Sequence, residues 1–406
     1  MNNTEKALIK LLSAAIRGRE FTDLNINHDI NWQKVYNEAE AHAVLPLIYP
    51  IVKKISKSHE IDNELMAKWS KYTIMSGVYQ TQHINQMKTV FRAFNEAGIP
   101  VVALKGLIIR ELYPQPELRT MSDSDLLIKE EHIEVAEKVL TSLGYSKLDS
   151  IRHESCFIHN SALSIDLHWS VTNKDNLRNV DPFEYTVWQN LRTHDFYGVK
   201  IQVLSLEYEL MHLFIHIASH IISSGFGIRL LCDIVVFIEQ EWDNIDWNLV
   251  YCLAEACKLN KLISTILNLC HDLFSLDIPA AYTKVYPGTN EYKKILTNEI
   301  FNSGIYGKRN DIRIANTRML NNVLQSNADV GRFKLVVRYL FPTPTRLDKR
   351  YSYASKYPFL LVFAWIHRFA FELFSNGINR LKELFKIGST SSFVKSRFDL
   401  IKWLQL

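Results

Sequence analysis

Apolar residues along this chain follow two different periods, and the change from one to the other divides it. Over the first hundred residues they recur three and four positions apart. Ala7, Leu8, Leu11, Leu12 and Ala15 form one helical face. Trp32 to Lys54 repeats the spacing around Val44, Leu47, Ile48 and Ile51, with Pro46 and Pro50 as expected interruptions. A longer helical run from Asn63 to Ala97 closes on NEAGIP. There Gly98 suits a helix C-terminus and Pro100 forbids continuation.

The period then shortens. VVAL (101–104) is β-branched and apolar, the pattern of a short buried strand ended by Lys105-Gly106. GLIIRELY predicts one or two helical turns, PQPELRT a loop, and MSDSDLLI a second strand. In KEEHIEVAEKVLTSLGY, Ile133, Ala136, Val139, Leu140 and Leu143 share a helical face that Gly144 ends. Two strand-like runs, roughly 153–159 and 163–170, join at Asn160-Ser161, a pair that favours a tight turn. VKIQVLS (199–205) alternates like another strand. This order predicts a small mixed sheet with helices on one side.

From Leu206 the helical period returns, through LEYELMHLFIHIASHII, RLLCDIVVFIEQ and 246–275. Residues 290–406 read as helical, basic and aromatic, and 358–374 is the most apolar run in the chain. The predicted class is α+β: a small mixed-sheet core flanked by N-terminal and C-terminal helical regions. Expected divisions are 1–97 (helical), 98–205 (core), 206–290 (helices packing on the core) and 291–406 (basic and aromatic).

Composition changes this picture in three places. A hydrophobic fraction of 47% with 22% charged residues marks a globular chain. Cys156, Cys232, Cys252, Cys257 and Cys270 are odd in number and form no CxxC pair, which argues against a disulfide framework or a structural zinc site and suits a reducing cytosol. The net charge of +4 hides an asymmetry: from residue 301 onward there are 18 Lys and Arg against 6 Asp and Glu. A basic tail on an acidic body is either a solvated helical face or a contact for an anionic partner. No stretch of about 18–20 uncharged apolar residues predicts a transmembrane helix, and MNNTEKALIKLLSAAIRGRE lacks the pattern of a signal peptide. The expected location is cytoplasmic, with peripheral contact at the inner membrane face open through 358–374 and the tail. No zinc-finger or RNA-binding signature is present.

The chemistry concentrates in the strands. Asp123 and Asp125 flank Ser124 in a predicted strand, so their side chains share a face. Asp166 lies between Ile165 and Leu167 in LSIDLHWSV, where a carboxylate is costly to bury without a cation. Three carboxylates on neighbouring strands beside a glycine turn form a candidate site for two magnesium ions and a nucleoside triphosphate. The alternative for an isolated Asp-x-Asp is a solvated strand edge. Arg119 either reaches the triphosphate or orients an aspartate, and Lys105 either does the same or covers apolar surface with its stem. His168 shares a face with Asp166 and is either close to substrate or structural. His212, His216 and His220 recur every four residues, but with no acidic partner between them packing is preferred over zinc. Asp233 is expected to pair with Arg229 or a histidine.

LKG before a helix, then LYPQPELRTMSDSDLLI, GY, IDLHW, LMHLFIHIASH and LLCDIV together resemble the uncharacterised nucleotidyltransferase family, a branch of the DNA polymerase β-like superfamily. The resemblance covers roughly 95–240. It implies a magnesium-dependent transferase passing a nucleoside monophosphate from a triphosphate such as ATP to a hydroxyl acceptor, with release of pyrophosphate. The acceptor would be a small molecule, a glycan-linked group or a protein side chain. Asp123, Asp125 and Asp166 fall on the catalytic and metal-binding carboxylates, and Gly106 on the turn that meets the triphosphate. This chain has Gly106-Leu107 where the wider superfamily has Gly-Ser, so Lys105 or backbone N–H groups would stand in. A non-catalytic nucleotide-binding or scaffolding protein that keeps the fold is the alternative.

Overall fold

The computed structural model describes residues 1–18, 29–151, 154–172, 179–223, 225–284, 286–304, 349–351, 353–368 and 391–406, with isolated positions between them. Helices α1 (Asn3–Ala15), α2 (Trp32–Ala41) and α3 (Leu45–Ile55) open the chain, each burying an apolar face. Pro46 sits in the first turn of α3, where its missing N–H costs nothing. Pro50 does not interrupt α3 as expected. Leu47, Ile48, Ile51 and Val52 around it are buried, and that burial outweighs one lost backbone bond.

Helix α4 (Asn63–Glu96) starts on an Asp62 cap, whose carboxylate accepts from the Leu65 N–H. It ends where the sequence demands, at Gly98 with φ +67°. Strand β1 (Val101–Ala103) leads into α5 (Gly106–Ile109), a loop, then β2 (Asp123–Ile128) and α6 (Ile133–Ser142). Strands β3 (Ser146–Ile151), β4 (Glu154–His159) and β5 (Ala162–His168) follow, then a short α7 (Asp181–Glu184), β6 (Leu191–Phe196) and β7 (Val199–Leu204). Helices α8 (Leu206–Ser223), α9 (Arg229–Glu241), α10 (Trp247–Ala256), α11 (Asn260–Phe274) and α12 (Thr289–Ser303) complete the body.

The seven strands form one mixed sheet in the order β3-β4-β5-β2-β1-β7-β6. Only β1–β7 and β2–β5 pair in parallel. The two strands absent from the periodicity reading, β3 and β6, are the two edges. SKLDSI and LRTHDF carry polar residues on both faces, as edges exposed to water do, so no alternation betrays them.

Helices cover both faces of the sheet, not one. Ala103, Leu126, Ile128, Ile165 and Leu167 pack under Met87, Phe91 and Phe94 of α4 and Leu140 of α6. On the opposite face Val102, Leu127 and Leu204 join a larger core with α8, α9 and the N-terminal helices. A short β1 buried on both sides must be apolar throughout, and VVA is.

Of the helical reading of 291–406, residues 305–340 and 372–390 lie outside the described residues. A C-terminal helix, Ser391–Leu404, docks on the body. Its Leu400, Ile401 and Leu404 enter the large core, and its buried Arg397 pairs with Glu299 at 2.9 Å. Among the described residues, no helix is long and apolar enough to cross a membrane.

Candidate active site

Strands β2 and β5 run side by side and parallel, with Asp125 opposite Asp166 and Asp123 opposite Ser164. Residues paired in register share a face, so all three carboxylates stand on the same side of the sheet. Ser124 shows the alternation directly: it is buried on the other side, its Oγ 2.7 Å from Nε2 of His83 on α4. From β4, Cys156 lies beside Asp166 and Glu154 beside His168. The acidic side is turned toward α8.

Charge is unevenly compensated there. Asp125 Oδ1 receives Lys105 Nζ at 3.1 Å and His168 Nε2 at 2.9 Å, while His168 Nδ1 lies 3.3 Å from Glu154. Burial works to raise the Asp125 carboxyl, yet Lys105 and the His168 hydrogen bond hold it well below the usual carboxylate range. Asp123 moves the other way, pushed up by burial and by the charge of Asp125, against the opposing pull of Lys105, Ser122 and Arg229. Asp166 is also raised, first by burial and further by Asp123 and Asp125, with a Cys156 hydrogen bond opposing. The Cys156 thiol is pushed up to about 12 by burial and Asp166, so it is a neutral donor here. Lys105 pairs with Asp125 and, with Arg229, only partly offsets Asp123.

Among the described residues, no group of three or more His, Cys, Asp or Glu is gathered tightly enough to hold a metal ion. Asp125 is committed to Lys105 and His168 instead. The donor chemistry nonetheless suits a hard divalent cation: three carboxylate side chains stand on one face. A bound cation would have to draw Asp125 away from Lys105.

Lys105 itself is strained. It adopts φ +51° and ψ −128°, a region that L residues avoid, at the junction of β1 and α5. Its N–H donates to Glu209 Oε1 of α8 at 3.1 Å. Glu209 is fully buried, its Oε2 has no hydrogen-bond partner, and burial pushes its carboxyl up to about 8. Burial and the nearby Lys105 charge hold His212 and His216 well below the usual histidine range, so both are neutral. His216 and His220 bring their Nε2 atoms to 3.2 Å.

Arg119 is placed otherwise than the sequence reading expects, and it packs against Gly106. A Cβ at position 106 would come within 2.9 Å of the Arg119 guanidinium carbon, so glycine is required here by the arginine packed against it. Arg119 engages a different acid. It forms a bidentate pair with Asp233 of α9, Nε–Oδ1 at 3.1 Å and Nη2–Oδ2 at 2.6 Å, with only 4% of the residue exposed. Asp233 is therefore the partner of Arg119, not of Arg229 or a histidine, and it also accepts from Tyr113 Oη at 2.7 Å. Arg229, one turn earlier, donates to the Thr120 carbonyl at 2.8 Å. Together Arg229 and Asp233 clamp the loop that delivers the acidic strand.

The sequence reading misses Glu209 and misassigns the partners of Arg229 and Asp233. Glu209, His212, His216 and His220 fall three, four and four apart, one polar stripe on an otherwise apolar helix, and only the histidines drew notice. Arg229 and Asp233 are four apart, a spacing that marks one helix face but not what faces it.

No curated protein matches the chain. Among solved structures, an antigenic nucleotidyltransferase-like protein from Paracoccidioides brasiliensis is similar over 44% of this chain and 93% of its own. The identity is 12% and the TM-score 0.25, an overlap too loose to support an argument. Residues 28–275, well over half of the chain, match the sequence model described as uncharacterised nucleotidyltransferase. That span takes in the whole sheet, the acidic face and helices α8 to α11. The chain belongs to the uncharacterised nucleotidyltransferase family.

Proposed function

We propose that the protein transfers a nucleoside monophosphate from a nucleoside triphosphate to a hydroxyl acceptor and releases pyrophosphate. The observation that carries this reading is the register of β2 against β5, which sets Asp125 beside Asp166 and keeps Asp123 on the same face. Asp123, Asp125 and Asp166 would hold two magnesium ions. Bound there, magnesium supplies charge neutralisation on the phosphates and a lower pKa for the acceptor hydroxyl. Asp166 would take the acceptor's proton, which a bound cation makes easier to release. Lys105 exchanges Asp125 for a phosphate oxygen when the triphosphate arrives, which keeps its charge compensated. His168 holds Asp125 in orientation through Nε2. Arg119 supports the Gly106 turn from beneath and makes no phosphate contact.

One observation favours a second reading, a nucleotide-binding protein without turnover. Lys105 and His168 already stabilise Asp125, so the fold does not depend on a metal. Label transfer separates the two. Incubation with an α-labelled triphosphate, magnesium and host lysate is expected to leave label on an acceptor and release unlabelled pyrophosphate. The double variant Asp123→Asn/Asp125→Asn should lower the transfer on the order of a thousandfold. Transfer that survives the double variant refutes the site; binding without transfer by the wild-type protein supports the second reading.

A further inference from the structure

We infer that residues 359–366 are a docking surface for an anionic lipid bilayer. Four large apolar side chains there face solvent: Phe359 is 74% exposed, Val362 54%, Phe363 64% and Ile366 60%. Residues 361–368 are helical, and positions 359, 362, 363 and 366 follow the i, i+3, i+4, i+7 spacing of one face. The opposite face is already used. Ala364 is fully buried in a small cluster with Tyr351 and Ala354, and Leu361 packs against it. His367 meets the rings of Tyr351 and Tyr353. The helix therefore has one face satisfied within the protein and one apolar face turned outward.

Charge identifies the occupant. Between 349 and 371 the chain carries Lys349, Arg350, Lys356 and Arg368 and not one Asp or Glu. Phenylalanine and aliphatic side chains in a segment that carries cations and no acid match the boundary between acyl chains and anionic headgroups. A nucleic acid would be served by the cations and by stacking on the two phenylalanines, but Val362 and Ile366 offer it nothing. A neutral protein groove would have no use for the cations. Among the described residues no helix is long and apolar enough to cross a membrane, and an apolar face beside cations suits a position in the bilayer interface.

The test is sedimentation of the full chain with vesicles of phosphatidylcholine, with and without about one-third phosphatidylserine. Binding to the anionic vesicles is expected to exceed binding to the neutral ones about tenfold or more and to weaken with added salt. The triple variant Phe359→Ser/Phe363→Ser/Ile366→Ser should lose about tenfold or more of that binding. Its side chains are exposed, so its unfolding transition and its triphosphate binding should stay unchanged. Four outcomes overturn the inference: no vesicle binding, equal binding to neutral vesicles, unchanged binding by the triple variant, or a stripe that instead mediates self-association or RNA binding. Each reads out independently of nucleotidyl transfer, so failure here leaves the acidic face untouched.

Discussion

Two ion clusters lie within the span that matches the family, and they are built on opposite principles. Arg119 and Asp233 make a dry, bidentate pair, 5% and 1% exposed at their side chains, with Tyr113 filling another carboxylate position. Lys105, Asp125 and His168 are each 14–17% exposed, share a single carboxylate oxygen, and leave Asp123 and Asp166 undercompensated. The first cluster satisfies its charges and locks a loop to a helix. The second carries more acid than base, on a strained backbone, where solvent reaches. A saturated buried pair holds structure; an unsaturated, accessible one is where a cationic ligand gains most.

That contrast breaks most visibly at Arg119. Arg119→Ala leaves the buried Asp233 carboxyl without its bidentate partner, and is expected to cost about 3–5 kcal/mol in urea unfolding. Comparable stability of variant and wild type would erase the distinction. Glu209 comes next. Its folded pKa of about 8 lies above the unfolded value of 4.5, so its contribution is complete below 4.5 and is lost as pH rises through 8. The wild type should lose about 2 kcal/mol between about pH 6 and 8 that Glu209→Gln does not lose, read as diverging unfolding midpoints. Parallel pH curves would show that the buried carboxyl does not titrate there.

Smaller still is the stability effect of Lys105→Met, expected at about 0–1 kcal/mol because the pair is partly solvated. Its effect on triphosphate affinity should be far larger, and a loss confined to stability would move Lys105 into the structural class. The smallest signal is protonic. Asp123 and Asp166 are raised, so magnesium bound just above the ordinary carboxylate range must displace protons. Titration in two buffers of different ionisation enthalpy should show uptake by buffer that fades toward neutrality.

The sequence shows the acidic strand well, because alternation forces Asp123 and Asp125 together and Asp166 interrupts an apolar run. It shows α4 to within one residue of its end, because Gly98 and Pro100 punctuate it. It hides the polar edge strands β3 and β6, whose pairing is set by neighbours and not by pattern. It hides Arg119's true partner for a different reason: Asp233 is 114 residues away, and only the docking of α9 on the loop brings them together. Gly106 reads as a phosphate turn from the motif alone; the arginine behind it becomes visible only in three dimensions.

The central claim is that the three aspartates form a cation-dependent triphosphate site. Calorimetric titration of the four nucleoside triphosphates, with and without magnesium, tests it most directly on the wild type and on Asp123→Asn/Asp125→Asn. Saturable binding of at least one triphosphate that requires magnesium and disappears in the double variant, with unchanged thermal unfolding, is the predicted result. Equal binding by the double variant, or binding indifferent to magnesium, would contradict it.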